Sequence, residues 1–129
     1  MLKTSISCMM LCICMATHAQ IKLPALSPSI EISQDIGLTT ATVSYARPSL
    51  RGRSLFGDNG ILVVGEKWRT GANATTKVVF SDAIVIQGIT LPKGSYALLT
   101  TPKEHTWTFH WYAYENLPYT QFVKKDQTA

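Results

Sequence analysis

Four residues of this chain carry polar head groups suited to holding a ligand: Arg47, Arg53, Arg69 and Asn73. Guanidinium forks grip carboxylate and phosphate through paired N–H bonds, and a side-chain amide adds a donor and an acceptor for sugar hydroxyls. All four fall in or beside stretches that carry glycine, where backbone can approach a ligand closely. The same residue types also serve loops structurally, because arginine and asparagine bond backbone carbonyls that must be satisfied somewhere. Thr70 and Thr75 are open to both readings. Tyr112 and Tyr114 form a candidate aromatic platform for sugar rings, Trp107 and Trp111 fit a core better, and Trp68 is open to both readings.

Other chemistries find less support. His105 and His110 are five residues apart, one in a loop and one on a strand, and scattered carboxylates do not supply the ligand count of a metal site. Asp58, Glu66 and Asp82 offer a base for a small hydrolase of envelope glycans or esters, an alternative defined by separations in space. Nucleophile-elbow, P-loop and dinucleotide signatures are missing from the sequence.

The elements that position these residues read as short strands. Ile30, Ile32 and Ile36 alternate with Glu31, Ser33 and Asp35, the period of a strand with one buried face, and Gly37 breaks it. Residues 40–47 form a second strand closed by Pro48, and 49–60 a loop anchored by Leu55 and Phe56. Residues 61–64 read as a brief buried strand and 75–80 as a longer one. Gln87-Gly88 sits between two apolar triplets as a hairpin turn, and Pro92-Lys93-Gly94 launches a strand over 95–101. Residues 106–114 place Trp107, Phe109, Trp111 and Ala113 on one face and Thr108, His110, Tyr112 and Tyr114 on the other, so both faces carry aromatic area. One must be core; the other is covered or binds something. No apolar stripe keeps helical spacing over 10 or so residues. These features predict one all-β domain, an antiparallel sandwich or barrel-like fold with irregular Gly/Arg-rich loops.

All three cysteines and all four methionines lie within the first fifteen residues. A basic start at Lys3, an apolar run to Ala16 and the small residue Ala19 read as a secretory signal cut near Ala19. Removing 19 of 129 residues leaves 110, with 11 basic and 8 acidic side chains and no sulfur. That excludes disulfides and thiol chemistry, and the small net charge gives no case for nucleic acid. The apolar run is too short for a transmembrane span. The expected division is a signal at 1–19, an extended leader at 20–29, a β domain at 30–114 and a divergent tail at 115–129.

With the motifs in place, Arg47-Pro48, Gly52-Arg53, Phe56-Gly57, Trp68-Arg69-Thr70-Gly71-Ala72-Asn73, Thr75-Thr76, Phe80, Gly88, Leu91-Pro92, Gly94-Ser95-Tyr96-Ala97-Leu98 and Trp107 resemble the domain-of-unknown-function family numbered 2911. The likeness runs from about Ser29 to Trp107. It implies an exported protein of the type found mainly in Bacteroidetes, and it brings no activity, cofactor or catalytic residue with it. Val63-Val64 stands where the family tends to have Pro-Tyr. From Tyr112 onward the likeness fades, which implies a C-terminally short member.

The function expected on these grounds is that of a periplasmic or surface-exposed binding module. It would be non-catalytic, work without a cofactor, and contact an acidic or polyhydroxylated envelope component. Envelope glycan or another envelope protein is the partner class. A structural protein that pairs through an exposed β edge is a further alternative.

Overall fold

The computed structural model describes residues 23–115 and 117–125; the expected signal segment at 1–19 lies outside the described residues. Seven strands and one short helix follow in chain order: β1 (Ser29–Ile36), β2 (Thr39–Ala46), β3 (Ala72–Phe80), β4 (Ile84–Ile86), β5 (Ile89–Leu91), β6 (Gly94–Pro102), β7 (Trp107–Ala113) and α1 (Tyr119–Lys125). Five strands pair antiparallel in the order β1-β2-β3-β6-β7, and β4 with β5 makes a separate hairpin. The fold is all-β, as the strand pattern predicts, but the sheet stays open, with β1 and β7 as its edges. The barrel-like alternative is corrected accordingly.

Turn chemistry sets the two tight hairpins. Gly37 has φ +64° at the first central position between Ile36 and Thr39, where a type II′ turn requires glycine. Gln87 and Gly88 both have positive φ, 49° and 81°, the pattern of a type I′ turn that matches strand twist.

The period of two then sorts the side chains into two faces. On the first, Ala41, Val43, Val78, Phe80, Tyr96, Leu98 and Trp111 pack beneath Ile84, Ile86 and Leu91 of the hairpin. Phe80, Tyr96 and Trp111 form a triangle of rings with centroids 6.0–6.2 Å apart. On the second face Ala97, Leu99, Tyr112 and Tyr114 pack beneath Phe122 of α1, with Leu117, Tyr119 and Val123 around it. The sheet is thus the middle layer, covered on one side by a hairpin and on the other by a helix. No helix among the described residues is long and apolar enough to cross a membrane.

Three expectations change. β1 is exposed along its whole length, Ile32 by 48 %, because neither covering element reaches the outer edge of the sheet. Residues 61–64 are not a strand: Leu62 is buried, but Val63 and Val64 are exposed, since the place beside β6 is taken by Trp68. Trp107 is 43 % exposed at the start of edge strand β7, its ring edge-on to Phe56 rather than in the core. Helix α1 is an addition: it has only seven residues, and its stripe of Tyr119, Phe122 and Val123 is too short to register as helical periodicity.

Candidate functional site

The run Trp68-Arg69-Thr70-Gly71-Ala72-Asn73 is where the long β2–β3 crossover rejoins the sheet. The Trp68 N–H donates to the Thr100 carbonyl at 2.7 Å, and the Thr100 N–H donates back at 2.9 Å. The crossover therefore fills the place beside β6 that β3 leaves beyond Thr76. β3 leaves because it bulges: Ser44 pairs with Lys77, but two residues on Ala46 pairs with Ala72. Thr70 and Asn73 both adopt left-handed backbone, φ 60° and 62°, a conformation their neighbours must hold in place.

Four bonds do so. Thr70 Oγ1 meets Thr100 Oγ1 at 3.1 Å, Thr76 Oγ1 donates to the Thr70 carbonyl at 2.8 Å, and the Thr76 N–H donates to the Arg69 carbonyl at 3.2 Å. Arg69 Nη1 donates to the Asn73 carbonyl at 2.7 Å. Gly71 is needed for space, since a Cβ there would come within 3.1 Å of the Ala46 carbonyl oxygen and of Thr76 Oγ1.

This junction forms one wall of a cavity of about 540 Å³. Arg53, Arg69 and Asn73 line it together with Leu50, Leu62 and Trp68. Arg47 is not among its lining residues; its N–H instead extends the β1–β2 ladder by donating to the Pro28 carbonyl at 2.9 Å. The structure thus brings together three of the four head groups singled out in the sequence.

Both guanidiniums in the cavity are oriented by backbone. Arg53 Nε and Nη2 donate to the Leu50 and Ser49 carbonyls at 3.0 and 3.1 Å. The Arg69 guanidinium lies 5.2 Å from the centre of the Tyr119 ring, whose hydroxyl donates to the Lys67 carbonyl. Burial raises the Tyr119 phenol above its ordinary pKa of 10 despite the nearby Arg69 charge, which keeps it a neutral donor. These bonds account for two of the five N–H groups of Arg53 and one of the five of Arg69. The loop-stiffening role weighed for Arg69 and Asn73 is therefore present in the geometry alongside their place on the cavity wall.

The aromatic platform divides. Tyr112 is packed against Phe122 with ring centroids 5.9 Å apart, and its hydroxyl accepts from Lys67 Nζ at 2.9 Å, so it is not an open stacking surface. Tyr114 lines a second cavity of about 440 Å³ and carries Lys77 Nζ 4.9 Å from its ring centre. That cavity is also lined by Glu31, Tyr45, Thr75 and Lys77, of which sequence reading raised only Thr75, and by Asn73. The row Glu31–Ser44–Lys77 was legible only once strand register was known.

The histidines do not converge. His105 is exposed beside Glu104, and His110 Nε2 is 2.9 Å from Thr101 Oγ1. Burial, then the positive charges of Lys67 and Lys103, hold His110 below its ordinary pKa. Asp58 and Asp82 line neither cavity, and Asp82 accepts from Ser81 Oγ at 2.9 Å.

Searches of curated proteins and of solved structures return no match. A family described as a protein of unknown function (DUF2911) matches residues 27–128, a span that includes both cavities, the β3 bulge and helix α1. By that match, which covers most of its length, the chain belongs to the DUF2911 family.

Proposed function

We propose that this protein is an exported, non-catalytic binding module, and that the cavity walled by Arg53, Arg69 and Asn73 holds an acidic group of an envelope component. One observation carries the reading: two guanidiniums from separate parts of the β2–β3 crossover line a single cavity, each held by backbone carbonyls and retaining further N–H groups. Such pre-orientation lowers the entropy lost when an anion binds. Apolar walls from Leu50, Leu62 and Trp68 lower the local dielectric and strengthen the contact. Trp68 supplies the readout. Titrating the mature chain with carboxylated and phosphorylated saccharides should change its fluorescence saturably, with an affinity that falls as salt rises. Arg53→Gln should weaken that binding about tenfold or more, the worth of one charge-assisted hydrogen bond. Equal affinity in a folded Arg53→Gln variant refutes the reading. The hydrolase alternative has less support, because Asp58 and Asp82 lie on neither cavity wall.

A second reading, association through a sheet edge, is favoured by β1. All eight of its residues are exposed. The bond from the Arg47 N–H to the Pro28 carbonyl fixes the phase of the ladder: even-numbered residues turn their peptide groups toward β2, and Glu31, Ser33 and Asp35 turn theirs outward. A second copy adds antiparallel with Ile32 opposite Ile32, which sets Glu31 against Ser33. The neighbouring register with Ser33 opposite Ser33 sets Glu31 against Asp35 twice, and like charges disfavour it.

A further inference from the structure

We propose that the cavity beside the β3 bulge is a carbohydrate site that takes the ring of a neutral pyranoside. It is separate from the arginine-walled cavity, and the two share only Asn73 on their walls. Its volume of about 440 Å³ falls in the range of about 300–1,000 Å³ typical of small-molecule sites.

The lining has the chemistry that sugars require. Tyr114 contributes aromatic surface, on which the C–H face of a pyranose ring packs. Glu31 accepts from hydroxyls, Lys77 donates to them, and the Asn73 amide does both. One carboxylate and one ammonium of opposite sign favour a ligand without net charge. Both are held in place: Ser44 Oγ donates to Glu31 Oε2 at 2.8 Å, and Lys77 Nζ sits over the Tyr114 ring.

Thr75 is the independent observation. It is 8 % exposed, and among the described residues its Oγ1 is buried without a hydrogen-bond partner. A buried hydroxyl left unbonded costs free energy, so such groups call for an explanation where they occur. In the proposed complex a change of χ1 rotamer carries Oγ1 to the staggered position that faces the cavity Thr75 lines. A sugar hydroxyl, both donor and acceptor, then satisfies it in either sense.

Saturation-transfer NMR on the mature chain with methyl glucopyranoside, methyl galactopyranoside and N-acetylglucosamine tests the site. Wild type should transfer magnetisation to the ring protons of at least one of them. Thr75→Val, which keeps the side-chain shape, should raise Tm by removing the unbonded hydroxyl while weakening binding about fivefold, and Thr75→Ser should restore it. Glu31→Gln, on an exposed strand, should weaken binding without a change in fold. No transfer from wild type to any of the three sugars overturns the proposal. So does a Thr75→Val protein that binds as well as wild type, or one whose Tm falls, since the hydroxyl would then be bonded within the fold.

Discussion

Truncating Phe122 to alanine probes the packing of α1 and, through it, the arginine cavity. Phe122 is 0 % exposed and closes a cluster with Ala97 and Leu99 of β6, its ring 5.9 Å from that of Tyr112. Removing a fully buried phenyl ring forfeits its transfer free energy and leaves a cavity, together about 3–5 kcal/mol. The helix has little of its own to offset this, because isolated helices shorter than about 12–15 residues are marginal in water. The seven residues of α1 persist by docking, so the variant loses either packing or the whole helix. For a domain of this size the cost lowers Tm by about 12 °C or more. Thermal unfolding followed by circular dichroism measures it. Undocking also frees Tyr119 from the Lys67 carbonyl and from the Arg69 guanidinium, so Trp68 fluorescence should shift in parallel. A Tm change under about 4 °C, equivalent to less than about 1 kcal/mol, refutes the claim that α1 holds the second face of the sheet.

The His110 environment predicts a pH dependence. Its pKa in the fold lies below the ordinary 6.5, so between those two values the unfolded chain binds the extra proton. Stability is therefore full above about pH 6.5, declines as pH falls through that window and levels off below the lowered value; Tm scans should show this and His110→Gln should flatten it. Gly71→Ala should cost about 1–3 kcal/mol by urea unfolding, because its Cβ presses on the Ala46 carbonyl oxygen and Thr76 Oγ1 at 3.1 Å. An unchanged midpoint would mean that the junction of crossover and sheet is looser than described. Pairing through β1 predicts a concentration-dependent dimer by analytical ultracentrifugation, abolished by Ile32→Lys, which sets two like charges face to face on the two-fold axis. A wild type that stays monomeric at high concentration contradicts that reading.

What was legible in the sequence follows the range of the forces involved. Gly37, Gln87-Gly88 and Gly94 act through local backbone preference, so the turns and the strands between them stand close to where the pattern puts them. The exposure of β1 was not legible, because alternation of Ile30 and Ile32 with Glu31 and Ser33 reports a two-faced strand, not whether another element lies over it. Val63 and Val64 read as a strand by composition, yet a strand needs a neighbour, and Trp68 already bonds to Thr100. Residue type identified Arg53, Arg69 and Asn73, and only the crossover geometry separates them from Arg47. Tyr112 and Tyr114 share a face by periodicity, but α1, invisible to a pattern that asks for longer stripes, covers the first more closely than the second. Glu31 and Lys77 could not be paired across Ser44 without register.

The most direct measurement of the central claim follows the arginine Nε–Hε resonances of residues 20–129 by ¹H–¹⁵N NMR during titration with the tightest acidic saccharide of the panel. The signals of Arg53 and Arg69 should move together along one saturable curve, and that of Arg47, whose backbone continues the β1–β2 ladder, should stay in place. Movement of Arg47 in their stead, or no shift of Arg53 and Arg69 at saturating ligand, contradicts the assignment of the cavity as the binding site.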